Sequence, residues 1–308
     1  MRWGARRLGY VAAPRSDRWH QSPTALLGGV AVFGGTAAGI ALAPAWSPHL
    51  TVIAAGSAAA FAIGLFDDLL TFRPVTKLTL QVVLASATLA AGVRLEWTPW
   101  ETVDSVLTVL WLIGLTNAFN LIDNMDGACA GVGAIAAGTL TAIALLVPGG
   151  TAASGLAAAL CGALLGFLIY NHHPASIFLG DSGSLFVGFM LAGLSAVAKE
   201  SEGTLPAAAA AVPVLVLLVP IFDTSLVTIS RKLSGRPASR GGTDHTAHRL
   251  VDNLLEDADG PLQLFRARPE DVQELERIVD EMADRPASRK PTNRLPESPR
   301  KIDAGWWL

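Results

Sequence analysis

Charge is scarce in this sequence. Asp, Glu, Lys and Arg together make up 16% of its 308 residues, hydrophobic residues make up 51%, and mean hydropathy is +0.43. That balance is too apolar for an ordinary soluble protein, in which about a quarter of residues are charged. Cysteine is nearly absent. Cys129 and Cys161 are the only two, neither has partner spacing for a metal, and both fall in apolar runs, where they read as small core residues. No internal repeat occurs at solenoid spacing. The basic start, MRWGARRLGYVAAPRSDRWH, holds no apolar core segment. No cleavable signal peptide is therefore expected, and insertion rests on the later runs. The net charge of −3 says little, because in so apolar a chain the distribution of charge outweighs its sum.

What the sequence does have is long apolar runs: Leu26–Ala43, Leu50–Phe66, Leu78–Gly92, Ser105–Ile122, Ala128–Val147, Ala153–Tyr170, Ser184–Ala198 and Pro206–Ile229. Because roughly 17 to 25 apolar residues cross a bilayer, the expected fold is all-α, a polytopic membrane protein of about eight transmembrane helices. The third and seventh runs are short for a span. Alternating the spans puts residues 67–77, 120–127, 171–183 and everything after 230 on the side of the basic N-terminal segment. That side then holds nearly all the arginine and lysine near a span, Arg73, Lys77, Arg231 and Lys232 among them, against Arg94 and Lys199 on the other. By the positive-inside rule the first side is cytoplasmic. Residues 1–250 read as the membrane domain. Residues 251–308 read as a cytoplasmic tail, with a short amphipathic helix over 269–284 and a disordered, proline- and charge-rich end whose Trp306, Trp307 and Leu308 touch the interface.

The unusual polar clusters all fall on that cytoplasmic side, an asymmetry that a bundle of spans does not need. Asn117–Gly131, NAFNLIDNMDGACAG, interrupts two apolar runs, and an unpaired carboxylate in hydrocarbon costs roughly 3 kcal/mol on insertion scales. Asn120, Asp123 and Asp126 stand at intervals of three and share a face if a helical turn continues there. A polar re-entrant loop is the other reading. Asp67 and Asp68 close the second run in GLFDDLL, with Lys77 a short loop later. They are either a solvated span end or a pair that holds a divalent ion beside a phosphate. In NHHPASIFLGDSGS, Asp181 is either a helix cap or a metal carboxylate beside backbone amides that face phosphate. Phe178 is either a base-stacking ring or a membrane anchor. His245 and His248, in a basic loop with Arg240 and Arg249, lack a third and fourth zinc ligand nearby and suit a diphosphate better.

GLFDDLL with Lys77 and Gln81, NAFNLIDNMDG, NHHPASIFLGDSGSLFVG, PIFDTSLV and RGGTDHTAHRL, in that order, resemble the polyprenyl-phosphate N-acetylhexosamine-1-phosphate transferases over about residues 14–250. The resemblance implies an integral enzyme of the plasma membrane that moves a sugar 1-phosphate from a UDP-sugar to polyprenyl phosphate at the cytoplasmic face, releasing UMP. It implies magnesium, or manganese in its place. It also implies that Asp67 and Asp68 lie near the lipid phosphate and that Asp181 holds the metal. Asn120, Asp123, Asp126 and Asn171 would line the nucleotide site, and His245 and His248 would sit at the diphosphate. Asp67, Asp68, Asp123, His245 and His248 are thus the expected catalytic residues, with Lys77, Asn117, Phe178 and Arg249 expected to bind substrate as well. The DNMDG form favours the N-acetylglucosamine branch over the phospho-MurNAc-pentapeptide branch. No nucleic-acid partner is expected.

The family also carries a span before APRSDRWHQSPTALLGG and further spans after the histidine loop, and it has a further histidine where Ala247 stands and often a lysine where Trp19 stands. A shortened or oligomeric form, such as a homodimer, is therefore expected. Two functions of other classes compete. A transporter would set its acids near the midplane, and an intramembrane prenyltransferase would need a second separated aspartate-rich motif.

Overall fold

The computed structural model describes residues 11–12, 24–25, 27–42, 46–146, 151–197, 211 and 213–233. Their elements are α1 (Gly28–Ala41), α2 (Pro48–Leu70), α3 (Pro74–Ala90), α4 (Glu101–Ile122), α5 (Ala128–Leu146), α6 (Thr151–Asn171), α7 (Gly180–Ala196) and α8 (Leu218–Leu233). Each of the eight apolar runs overlaps one of these helices. The all-helical expectation misses one small feature, an antiparallel pair of two-residue strands, β1 (Val11–Ala12) and β2 (Thr24–Ala25), with Val11 opposite Ala25. Four helices, over Pro48–Leu70, Glu101–Ile122, Ala128–Leu146 and Ala152–Asn171, are long and apolar enough to cross a membrane, and three shorter helices are also apolar. Large side chains on their flanks stand open, with Ile135 72% and Ile169 76% exposed. Such a surface suits hydrocarbon rather than water, and the protein is a helical membrane protein.

The helix ends follow local chemistry rather than hydropathy. Ser47 caps α2, its hydroxyl accepting the Leu50 N–H at 3.3 Å, and Pro48 and Pro74 open α2 and α3 where a missing N–H costs nothing. At its far end α2 runs past both aspartates to Leu70 and closes on Thr71 in the left-handed conformation, φ 55°. Segments 67–77 and 120–127 are thus not loops throughout. Asp67 and Asp68 occupy the last turn of α2, Lys77 the first turn of α3, and Asn117 and Asn120 the last turns of α4. A hydropathy boundary falls at the first polar residue, whereas the backbone ladder continues wherever its bonds can close.

The seventh run, short for a span, forms the centre. Every residue of α7 from Asp181 to Ala196 is buried, and the helix packs chiefly against α2 and α4, then α1 and α5. Phe186 at its middle meets the stacked rings of Phe33 and Phe61 edge-on, at centroid distances of 5.4 and 6.5 Å. Close backbone approach is what admits so many neighbours. Gly29 of α1 lies against Gly183, and Gly64 of α2 lies against the Asp181 carbonyl, so that a Cβ at either place would overlap α7 backbone. This is packing by small residues, as membrane helices commonly use. Gly28 and Gly35 also meet α6 neighbours, whereas Gly34 has nothing within 4 Å. Gly64→Ala should therefore lower stability by about 1 to 3 kcal/mol through overpacking. The shift in unfolding midpoint of detergent-solubilised protein measures it, and an unchanged midpoint would show that α2 and α7 can separate freely.

Candidate active site

Helix polarity brings the ends of α2 and α4 and the starts of α3 and α7 together, and each contributes a polar side chain. Lys77 is the hub. It is 4% exposed, and its ammonium donates to Asp67 Oδ2 at 3.1 Å, to Asn120 Oδ1 at 3.3 Å and to Asp181 Oδ2. Those three partners use its three donors. Asn120 Nδ2 donates to Asp181 Oδ1 and to Ser184 Oγ, each at 2.9 Å. The other oxygen of Asp67 accepts the Phe72 N–H at 2.6 Å, which ties the end of α2 to the turn before α3. Gln81, one turn along α3 from Lys77, pairs with Asn117 of α4, whose Nδ2 donates to Gln81 Oε1 at 2.6 Å and to the Ile113 carbonyl at 2.9 Å. The constellation thus runs down one face of α3.

Asp68 points elsewhere. Its Oδ1 accepts the N–H of Asp181 and its Oδ2 that of Ser182, both at 2.9 Å. The amides at the start of α7, expected to face phosphate, receive this carboxylate instead, because α2 crosses there closely enough to supply it.

The interval-of-three face over Asn120, Asp123 and Asp126 does not form, since α4 ends at Ile122 and Asp123 is its half-buried C-cap, donating its N–H to the Phe119 carbonyl at 3.2 Å. Asp126 lies beyond, in the turn before α5. Its Oδ2 accepts the Ala175 N–H at 3.0 Å and pairs with His173 Nδ1 at 3.0 Å. Asn171, 3% exposed, bridges the same loops, accepting the Gly127 N–H at 3.1 Å and donating to the Ile177 carbonyl at 3.0 Å. Half-buried Phe178 offers its carbonyl to the Gly28 N–H at 2.9 Å. Two groups therefore emerge: Asp67, Lys77, Asn120 and Asp181 form the buried cluster, while Asp126 and Asn171 order the adjoining loops. His245, His248 and Arg249 lie outside the described residues, as do the tail helix and the terminal tryptophans. Ser184 was missed as a site residue. Its signal was its place one helical turn after Asp181.

Two carboxylates, Asp67 and Asp181, face one ammonium in a largely buried setting, which leaves one formal negative charge, while Asp68 is turned to the α7 amides. The donors are hard oxygens, and magnesium is commonly held by one or two carboxylates with substrate phosphates completing its shell. Charge and donor chemistry therefore fit such an ion. Among the described residues no three His, Cys, Asp or Glu side chains form a closed metal cage.

The family model for glycosyl transferase family 4 matches residues 50–199. The chain is 34% identical over 255 residues to the probable undecaprenyl-phosphate N-acetylglucosaminyl 1-phosphate transferase of Bacillus subtilis, covering 80% of this chain and 70% of that protein. It is 32% identical over 286 residues to the decaprenyl-phosphate N-acetylglucosaminephosphotransferase of Mycobacterium tuberculosis, with 80% and 70% covered. A phospho-N-acetylmuramoyl-pentapeptide-transferase of Synechococcus is 37% identical over 227 residues, with 66% and 62% covered.

Proposed function

Because this chain belongs to glycosyl transferase family 4, we propose that it transfers a sugar 1-phosphate, of the N-acetylglucosamine type, from a UDP-sugar to polyprenyl phosphate and releases UMP. The observation that carries the proposal is the buried Asp67–Lys77–Asn120–Asp181 cluster at converging helix ends, within the matched span. The wider coverage by the N-acetylglucosamine relatives than by the muramoyl one favours the smaller sugar. In this proposal the eight helices cross the plasma membrane and the cluster opens on the cytoplasmic face, as the arginine and lysine distribution favours.

The reaction is a phosphoryl transfer. A lipid-phosphate oxygen attacks the phosphorus that carries the sugar, a new P–O bond forms, and the bond to the bridging oxygen breaks so that this oxygen leaves on UMP. Direct attack needs only positioning and charge stabilisation, and the cluster supplies both. Magnesium, held by Asp181 with Asp67, would neutralise diphosphate charge. Lys77 and Asn120 fix the Asp181 carboxylate. Asp123, Asn117, Phe178 and the loops ordered by Asp126 and Asn171 bind the nucleotide, and His245, His248 and Arg249 meet the diphosphate.

Purified protein incubated with UDP-N-acetylglucosamine, undecaprenyl phosphate and magnesium should release UMP, and omission of the lipid or addition of EDTA should abolish release. No UMP from folded, membrane-inserted protein with any UDP-N-acetylhexosamine would sink the proposal. Exchange of labelled UMP into UDP-sugar without lipid would replace direct attack with a covalent intermediate.

A further inference from the structure

Asp67 and Asp68 are neighbours in sequence, and successive residues on a helix project about 100° apart. One pair of carboxylates therefore serves two directions. Asp67 faces Lys77 and the Phe72 N–H, while both oxygens of Asp68 are engaged by the first amides of α7. Those amides need an acceptor, since the first N–H groups of a helix have no partner within it. Leu179, at the capping position, sits in helical conformation and supplies no side-chain cap. Ser182 is fully buried, so water does not substitute. Gly180 completes the seat, because its φ of 76° suits glycine and a Cβ there would lie 2.9 Å from Asp68 Oδ2. Gly64, one turn before Asp68, lets the Asp181 carbonyl reach α2. A carboxylate at a helix N-terminus also meets the positive end of the helix dipole.

We propose that Asp68 is a positioning residue that grips the start of α7 from α2, and so sets the Asp181 carboxylate against Lys77 and Asn120, while Asp67 alone of the pair faces the charged cluster. The proposal deepens the transferase assignment and rests on it for its kinetic consequence. Asp68 acts through the backbone of Asp181, and its loss lets the metal carboxylate drift.

Two variants test this, Asp68→Asn, which weakens the grip, and Gly180→Ala, which displaces an intact Asp68 carboxylate. Hydrogen–deuterium exchange over residues 177–186 should rise in both at the first turn of α7. The magnesium concentration for half-maximal UMP release should rise about tenfold or more in both, the size typical of partners that orient a metal ligand, with turnover at saturating magnesium within about threefold of wild type. A simple loss of folded enzyme would lower turnover without moving the half-saturation point. In an Asp181→Asn background neither change should lower the residual rate further. The proposal is overturned if Asp68→Asn abolishes turnover at all magnesium concentrations while exchange at α7 stays as in wild type. It is equally overturned if Gly180→Ala matches wild type in both exchange and magnesium dependence. If wild-type protein releases no UMP, the transferase assignment fails, and exchange alone still decides where Asp68 acts.

Discussion

Asp181→Asn is expected to lower UMP release by about 100- to 1,000-fold, the scale on which a preorganised charge is lost from a reacting phosphate. The carboxylate is 3% exposed and accepts on both oxygens, from Lys77 and from Asn120. An amide has nearly the same shape but only one accepting end. If its oxygen faces Lys77, its NH2 meets the NH2 of Asn120. Turning Asn120 over cures that clash and sets its NH2 against the ammonium, so no arrangement of the two amides satisfies all three side chains. The variant also removes a formal charge from the proposed metal site. Turnover should be measured at saturating magnesium and both substrates, alongside membrane accumulation equal to wild type. Near-normal turnover would mean that the metal carboxylate lies elsewhere.

The helices were legible because length and hydropathy mark them, and the eight apolar runs each meet a helix. Their ends were less so. The ladder of α2 continues from Asp67 to Leu70 although hydropathy falls there, and α3 starts at Pro74, ahead of its apolar run. The central place of α7 was hidden for a related reason: its span looks short, and its burial comes from Gly29, Gly64, Gly183 and Gly188, whose lack of side chains lets whole helices approach. A scale that scores side chains gives such residues little weight. In the site, residue types and order pointed to Asp67, Lys77, Asn120 and Asp181, which meet although 114 positions separate the first from the last. Spacing misled at Asp126, because an interval of three implies a shared face only while the helix lasts. It was also underused at Asp68, whose adjacency to Asp67 on a helix already implies a different direction.

Lys77→Met is expected to destabilise the protein by about 3 to 5 kcal/mol, the usual cost of removing one partner from a buried ion pair. The ammonium is 4% exposed and lies against Asp67 and Asp181, which are 9% and 3% exposed. Methionine fills much of the stem volume, so the loss reports charge more than cavity. Without the ammonium, two carboxylates that share one cation face each other across a largely buried gap. Replacing a second member should then relieve the first change. Lys77→Met with Asp67→Asn removes one negative charge together with the positive one, and its thermal midpoint in detergent should recover at least half of what the single variant loses. Magnesium gives a second readout. If Asp67 and Asp181 hold the ion, millimolar magnesium should raise the midpoint of Lys77→Met more than that of wild type, because in the variant the ion meets charge that no ammonium compensates. A single variant as stable as wild type would show that Lys77 is not what balances these acids. Equal magnesium shifts in the two proteins would show that the ion binds away from them.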